Sequence, residues 1–221
     1  MWALWKHRCD SVFQHTNPNA LSITRHIEQY FQWQHLEFKL VTTNADSQRR
    51  ATIFPRWQPP PEGYFKINID ASMLPNCTIA GIVILIRDPA GRFMEAMGLL
   101  QHARNITQAE AWGFLHAMQW AHRCQYKKVM FENDNMHVVN LLKSQKLYPP
   151  WKDACIINRF VSLLVQNPYW SCLHANRSCN KVADEMTKYV RKNNLARVLW
   201  FVCPSDFRTT LEADYACSSL S

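Results

Sequence analysis

Residues 65–93 place the tightest limits on what this chain can fold into. Phe65, Ile67, Ile69 and Ala71 alternate with Lys66, Asn68, Asp70 and Ser72, the period of a β-strand with two distinct faces. An apolar run from Ile79 to Ile86, the turn formers Asp88-Pro89-Ala90-Gly91 and a second run from Phe93 then predict a hairpin. After it the period lengthens. A helix is expected from Thr107 to about His122, buried through Phe114, Ala117, Met118 and Ala121. Val129 to Phe131 reads as a strand, Val138 to Leu142 as a short helix, and Asp153 to Gln166 as a longer one with Ile156, Phe160, Leu163 and Leu164 inward. Tyr169 to Leu173 is the last expected strand, and Ser178 can cap a final helix running to about Lys192. The order is that of an α/β domain with a five-stranded mixed sheet, three strands antiparallel and two parallel, and helices on both faces.

Around this domain the composition divides the 221 residues further. Residues 1–50 read as a helical N-terminal extension: Trp2, Trp5, Cys9, Val12 and Phe13 recur at helical spacing, and after Asn17-Pro18 so do Leu21, Ile23, Ile27, Tyr30, Phe31 and Leu36. The aromatic stripe Tyr30, Phe31, Trp33 is taken as packing surface. Residues 51–62, with Pro55 and Pro59-Pro60-Pro61, form an extended linker, because proline fixes φ and removes a backbone donor. Residues 63–194 hold the α/β domain and 195–221 a C-terminal tail. No stretch reaches the roughly 18–20 apolar residues of a membrane span, and Met1-Trp2-Ala3-Leu4-Trp5-Lys6 is not a signal peptide. A soluble, intracellular monomer is expected, with nucleus and cytoplasm equally open. The eight cysteines form no Cys-x-x-Cys pair and no zinc-ligand spacing, which suits reduced thiols. A net charge of +8 and a pI near 9.2 suit a polyanionic partner such as nucleic acid.

Four acids fall on four separate predicted elements: Asp70 on a strand, Glu110 on a helix, Asp134 closing a strand, and Asp184 on a helix. Each has a local alternative. Asp70 can be an exposed strand end, and Glu110 the last residue of a capping box, Thr107-Gln108-Ala109-Glu110. Asp134 can cap the following helix, and Asp184 can be a solvated helix position. Taken together, carboxylates delivered from separate elements are what hard divalent cations require, and without a cation they would repel one another.

Several motifs resolve the choice by resemblance. They are Trp57-Gln58-Pro59-Pro60-Pro61-Glu62-Gly63-Tyr64-Phe65-Lys66-Ile67-Asn68-Ile69-Asp70; Ala80-Gly81-Ile82 with Arg87-Asp88-Pro89-Ala90-Gly91-Arg92-Phe93; Ala109-Glu110-Ala111-Trp112; Val129-Met130-Phe131-Glu132-Asn133-Asp134; and His174 through Asp184, with Asn180-Lys181-Val182-Ala183-Asp184 at its end. Together they make residues 57–184 resemble the type 1 ribonuclease H (RNase H) family, most closely the RNase H-like domains of plant proteins related to non-LTR retrotransposons.

The resemblance implies an RNase H-like fold and a metal-dependent endonuclease that hydrolyses the RNA strand of RNA/DNA hybrids. It implies two Mg2+ ions, replaceable by Mn2+, on Asp70, Glu110, Asp134 and Asp184. By the same resemblance His174, ten residues before Asp184, assists catalysis. An integrase or resolvase on the same fold would order its acids differently. The alternative from another class is a catalytically weak, retrotransposon-derived nucleic-acid-binding module. Two departures from the family pattern stand out: Ala71 follows the first aspartate where glycine is common, and residues 143–150 are too short for the extra helix and basic protrusion of bacterial relatives.

Overall fold

The computed structural model describes residues 57–143 and 154–216. These lie within the second of two compact units, 1–52 and 53–221. The helical readings of residues 1–50, the first half of the proline-rich linker and the 144–150 connection fall outside the described residues.

Six strands form one sheet in the order β5-β4-β1-β2-β3-β6. The strands are β1 (Phe65–Met73), β2 (Ile79–Arg87), β3 (Phe93–His102), β4 (Val129–Asn133), β5 (Trp170–His174) and β6 (Arg197–Trp200). β1, β2, β3 and β6 pair antiparallel, whereas β4 and β5 join beside β1 in parallel. The helices are α1 (Ile106–Arg123), α2 (Met136–Lys143), α3 (Ala154–Gln166), α4 (Lys181–Lys192) and α5 (Ser205–Ala216), with a 3-10 turn at Arg177–Cys179.

The period-two pattern of β1 has a direct physical origin. Ile67 and Ile69 join Ile82, Ile84, Phe114, Phe131 and Phe160 in the larger core, under α1 and α3. On the opposite face Val83, Leu85 and Ala96 pack against Val182, Met186 and Val190 of α4 and Phe207 and Leu211 of α5. β2 is covered on both sides, which is why it reads as a continuous apolar run instead of an alternation. Gly113 lets α1 approach β1 closely, since a Cβ there would lie 2.7 Å from Ile69 Cγ2.

Three expectations are corrected. The sheet has six strands, not five, and residues 195–221 do not begin as a tail: 197–200 form β6 on the edge of β3, and 205–216 form α5. A four-residue strand shows too little periodicity to read, and its hydrogen bonds depend on β3. In α5 only Phe207 and Leu211 are buried among the side chains described, too few to mark a helical face. The last long helix also starts later than a Ser178 cap implies: Asn176 caps the 3-10 turn by accepting from the Ser178 amide, and α4 begins at Lys181.

The described half of the linker is bound into this fold. Trp57 is buried, donates Nε1 to Asn68 Oδ1 at 3.2 Å and lies 4.0 Å beneath the Arg87 guanidinium. Arg87 in turn pairs with Asp214 of α5 at 2.8 Å, so linker and C-terminal helix meet at one buried cation. No helix among the described residues is long and apolar enough to cross a membrane.

Candidate active site

The parallel register of β1 and β4 matches Asn68 to Glu132; carried on by two residues, it sets Asp134, just past the C-terminal end of β4, level with Asp70 in the second half of β1. Loop-facing strand ends in a parallel sheet are where open α/β folds gather their functional groups.

Glu110 arrives from α1, and the structure removes its rival role. The N-cap is Asn105, whose Oδ1 accepts from the Gln108 amide at 2.9 Å, while Gln108 Oε1 accepts from the Arg104 amide at 2.8 Å. Gln108, not Glu110, is the side chain that reaches back over the start of the helix, to the amide just before the cap. Glu110 is instead turned inward, 3% exposed, its Oε2 accepting from Asn133 Nδ2 at 2.7 Å. Asp134 is likewise relieved of capping, because Asn135 Oδ1 accepts from the amides of His137 and Val138.

Asp70, Glu110 and Asp134 each offer a carboxylate oxygen within 4.8 Å of the others. Asp70 Oδ2 is buried and accepts no hydrogen bond. Burial first, then the charges of Asp134 and Asp184, push the Asp70 carboxyl up to about 8. Glu110 is raised well above the ordinary range, again by burial first and then by Asp70. Asp134 is raised by burial, with Arg177 and His174 opposing and Asp184 adding to the rise. Acids at this spacing hold their protons more tightly when no cation neutralises them.

Asp184 lies in the first turn of α4 and is not in this close group. Its charge still acts on Asp70 and Asp134, so it faces the cluster from the rim. There Lys188 Nζ contacts Oδ2 at 2.5 Å and Arg177 approaches Oδ1 at 3.7 Å. His174 ends β5, exposed, with Nε2 3.1 Å from the Asp134 carbonyl oxygen. A carbonyl can only accept, so the contact requires Nε2 to carry the proton, leaving Nδ1 free to exchange one.

The donor set fits a hard divalent cation. It consists of oxygens alone, it converges from separate elements, and one oxygen has no other partner. Among the described residues no cysteine joins the cluster.

Sequence reading gave no role to two asparagines that touch the site. Asn133 and Asn180 are both fully buried, and both donate to the Ile69 carbonyl, at 3.0 and 2.9 Å. The available signal was an amide side chain next to, or four residues before, an expected acid.

The sequence profile of the reverse transcriptase-like family matches residues 68–190, over half of the chain. No curated protein matches the sequence. Among solved structures, RNase H1 of the halophilic archaeon Halobacterium salinarum superposes with a TM-score of 0.54 at 19% identity, over 59% of this chain and 99% of that one. LC11-RNase H1, isolated from compost and solved with an RNA/DNA hybrid, gives 0.54 at 17% identity over 59% and 99%. The N-terminal RNase H domain of a Mycobacterium tuberculosis protein gives 0.53 at 15% identity over 59% and 94%. At these identities the likeness speaks for the fold. With the mixed sheet, its flanking helices and the family match in agreement, the chain belongs to the reverse transcriptase-like family and carries a domain of the RNase H fold.

Proposed function

We propose that this protein is a divalent-metal-dependent endonuclease that hydrolyses the RNA strand of RNA/DNA hybrids. The observation that carries the reading is the unpartnered, buried Asp70 Oδ2 beside Glu110 and Asp134. Asp70, Glu110, Asp134 and Asp184 would hold two Mg2+ ions, with Mn2+ as a substitute. When bound, such a pair supplies a water activated for in-line attack and stabilises the leaving 3′ oxygen.

The chain's own groups do the rest. Asp70 and Glu110, inclined to hold protons in the metal-free site, exchange them for the cation. The Asp134 carbonyl orients the His174 ring through Nε2, so that Nδ1 can take up the proton released by the attacking water and pass it to the leaving oxygen, or assist product departure. A hybrid would be recognised by its 2′-hydroxyls and groove shape, not by base sequence. The net charge of +8 suits that partner, and the similar fold of LC11-RNase H1 was captured with an RNA/DNA hybrid.

One observation favours a second reading, a binding module with little turnover. Asp184 is already engaged by Lys188 and Arg177, which a metal would have to displace. Purified protein incubated with end-labelled RNA/DNA hybrid, single-stranded RNA and duplex DNA, with and without Mg2+, separates the two. Cleavage confined to the RNA of the hybrid and dependent on Mg2+ is expected; hybrid binding without cleavage would favour the module.

A further inference from the structure

The acid cluster is braced by a side chain that carries no charge. Asn133, the last residue of β4, directs Nδ2 at two acceptors, the Ile69 carbonyl at 3.0 Å and Glu110 Oε2 at 2.7 Å. Its Oδ1 accepts from the Asn135 amide at 2.8 Å. Turning the amide over would set oxygen against two oxygens and NH2 against an N–H, so these partners dictate its orientation. Ile69 precedes Asp70, Asn135 follows Asp134, and Glu110 is the third acid. A single side chain therefore ties together the three elements that deliver the cluster. Asn180 Nδ2 donates to the same Ile69 carbonyl at 2.9 Å, and the Asn180 carbonyl accepts from the Asp184 amide at 3.0 Å. The helix bearing the fourth acid is anchored to the same atom.

We infer that Asn133 is a positioning residue for divalent-cation binding, holding the Glu110 carboxylate and the backbone before Asp70 at the spacing a cation needs, with Asn180 bracing that backbone from α4. The inference rests on the metal reading proposed above. With Oε2 held, the Glu110 carboxylate cannot rotate away from the cluster, and with the Ile69 carbonyl held from two sides, Asp70 cannot shift along β1. Both acids then meet a cation without reorganising. Hydrogen bonds that orient metal ligands in this way typically govern metal affinity or activity by about 10–100-fold.

A merely structural asparagine supplies the control. Asn68, on β1, is likewise fully buried, and its amide donates to a carboxylate, Glu132 Oε2, at 3.0 Å. Neither Glu132 nor its other partner, Trp57, belongs to the cluster. The test is calorimetric titration of Mn2+ into the full-length wild type, Asn133→Ala and Asn68→Ala, with folding checked by circular dichroism and steady-state kinetics run on hybrid. Asn133→Ala is expected to bind Mn2+ at least about 10-fold more weakly and to lose kcat with KM for hybrid unchanged. Asn68→Ala should melt earlier yet keep wild-type Mn2+ affinity. If Asn133→Ala does not fold, Asn133→Ser, which keeps one donor, is expected to fold and still bind several-fold more weakly. Either folded variant binding Mn2+ like the wild type would overturn the inference alone, as would equal losses in the Asn133 and Asn68 variants. Failure of both Asn133 variants to fold beside a folded Asn68→Ala would also overturn it, assigning Asn133 to the fold. A wild type that binds no Mn2+ would overturn the metal reading and this inference together.

Discussion

Asp70→Asn keeps the side chain's shape and deletes its ionisation, so it separates what the acid does for the fold from what it does for the site. In the folded, metal-free protein burial and the neighbouring acids raise the Asp70 carboxyl from 3.8 to about 8. Between those values the native state holds a proton that the unfolded chain has released, and stability falls with pH wherever the native state binds more protons. The contribution of Asp70 is therefore fully present below about pH 4 and is lost progressively as pH rises through about 8. At pH 7, about three tenfold steps above the unfolded value, and at about 1.4 kcal/mol for each, the ionisable side chain costs the fold about 4 kcal/mol. Asparagine removes that cost but brings a buried amide, worth about 1–3 kcal/mol if left unsatisfied. The expected net gain is about 2 kcal/mol at pH 7, which corresponds to about 4–8 °C in Tm for a chain of this size. Guanidinium unfolding followed by tryptophan fluorescence, in a chelator and from pH 4 to pH 9, measures it. The variant should be the less stable of the two near pH 4, the stability curves should cross near about pH 5, and they should diverge in favour of the variant towards pH 8. Mg2+ should stabilise the wild type far more than the variant, and Mg2+-dependent hybrid cleavage should be lost in the variant. Parallel pH curves would refute the buried-acid reasoning, and unchanged cleavage would refute the site.

Glu110→Gln should abolish hybrid cleavage without destabilising the fold at neutral pH, because a buried ionisable acid is removed and a glutamine oxygen can still accept from Asn133; parallel activity and melting measurements check it. Gly113→Ala should destabilise by about 1–3 kcal/mol, since the added methyl would lie 2.7 Å from Ile69 Cγ2 and must push α1 away from β1. The same variant should weaken Mn2+ binding, because α1 carries Glu110, and calorimetry reads that shift. Asp214→Ala leaves the Arg87 cation buried without its 2.8 Å partner and should cost about 3–5 kcal/mol in denaturant unfolding.

How much of this was legible in the sequence depends on how local each determinant is. The β1 alternation, the apolar run of β2 and the spacing of Phe114, Ala117, Met118 and Ala121 are periodic within a few residues, and the structure forms the corresponding strands and helix over nearly the expected ranges. The four acids could be picked out because each sits at the end or on the face of such an element. Which local role each would take could not be read. Thr107 and Asn105 are both competent caps, as are Asp134 and Asn135, and the structure uses the asparagines. β6 was invisible because four residues acquire a strand's identity only from the edge of β3. Asn133 and Asn180 lie 64 and 111 residues from the carbonyl they share. The sequence by itself therefore determined the elements and the acids they carry, because periodicity and side-chain chemistry act over neighbouring residues. Tertiary structure alone decided which three acids converge, which one stays at the rim and which amides brace them. Those outcomes depend on burial and on hydrogen bonds between segments far apart in the chain, and neither exists until the sheet and helices have packed.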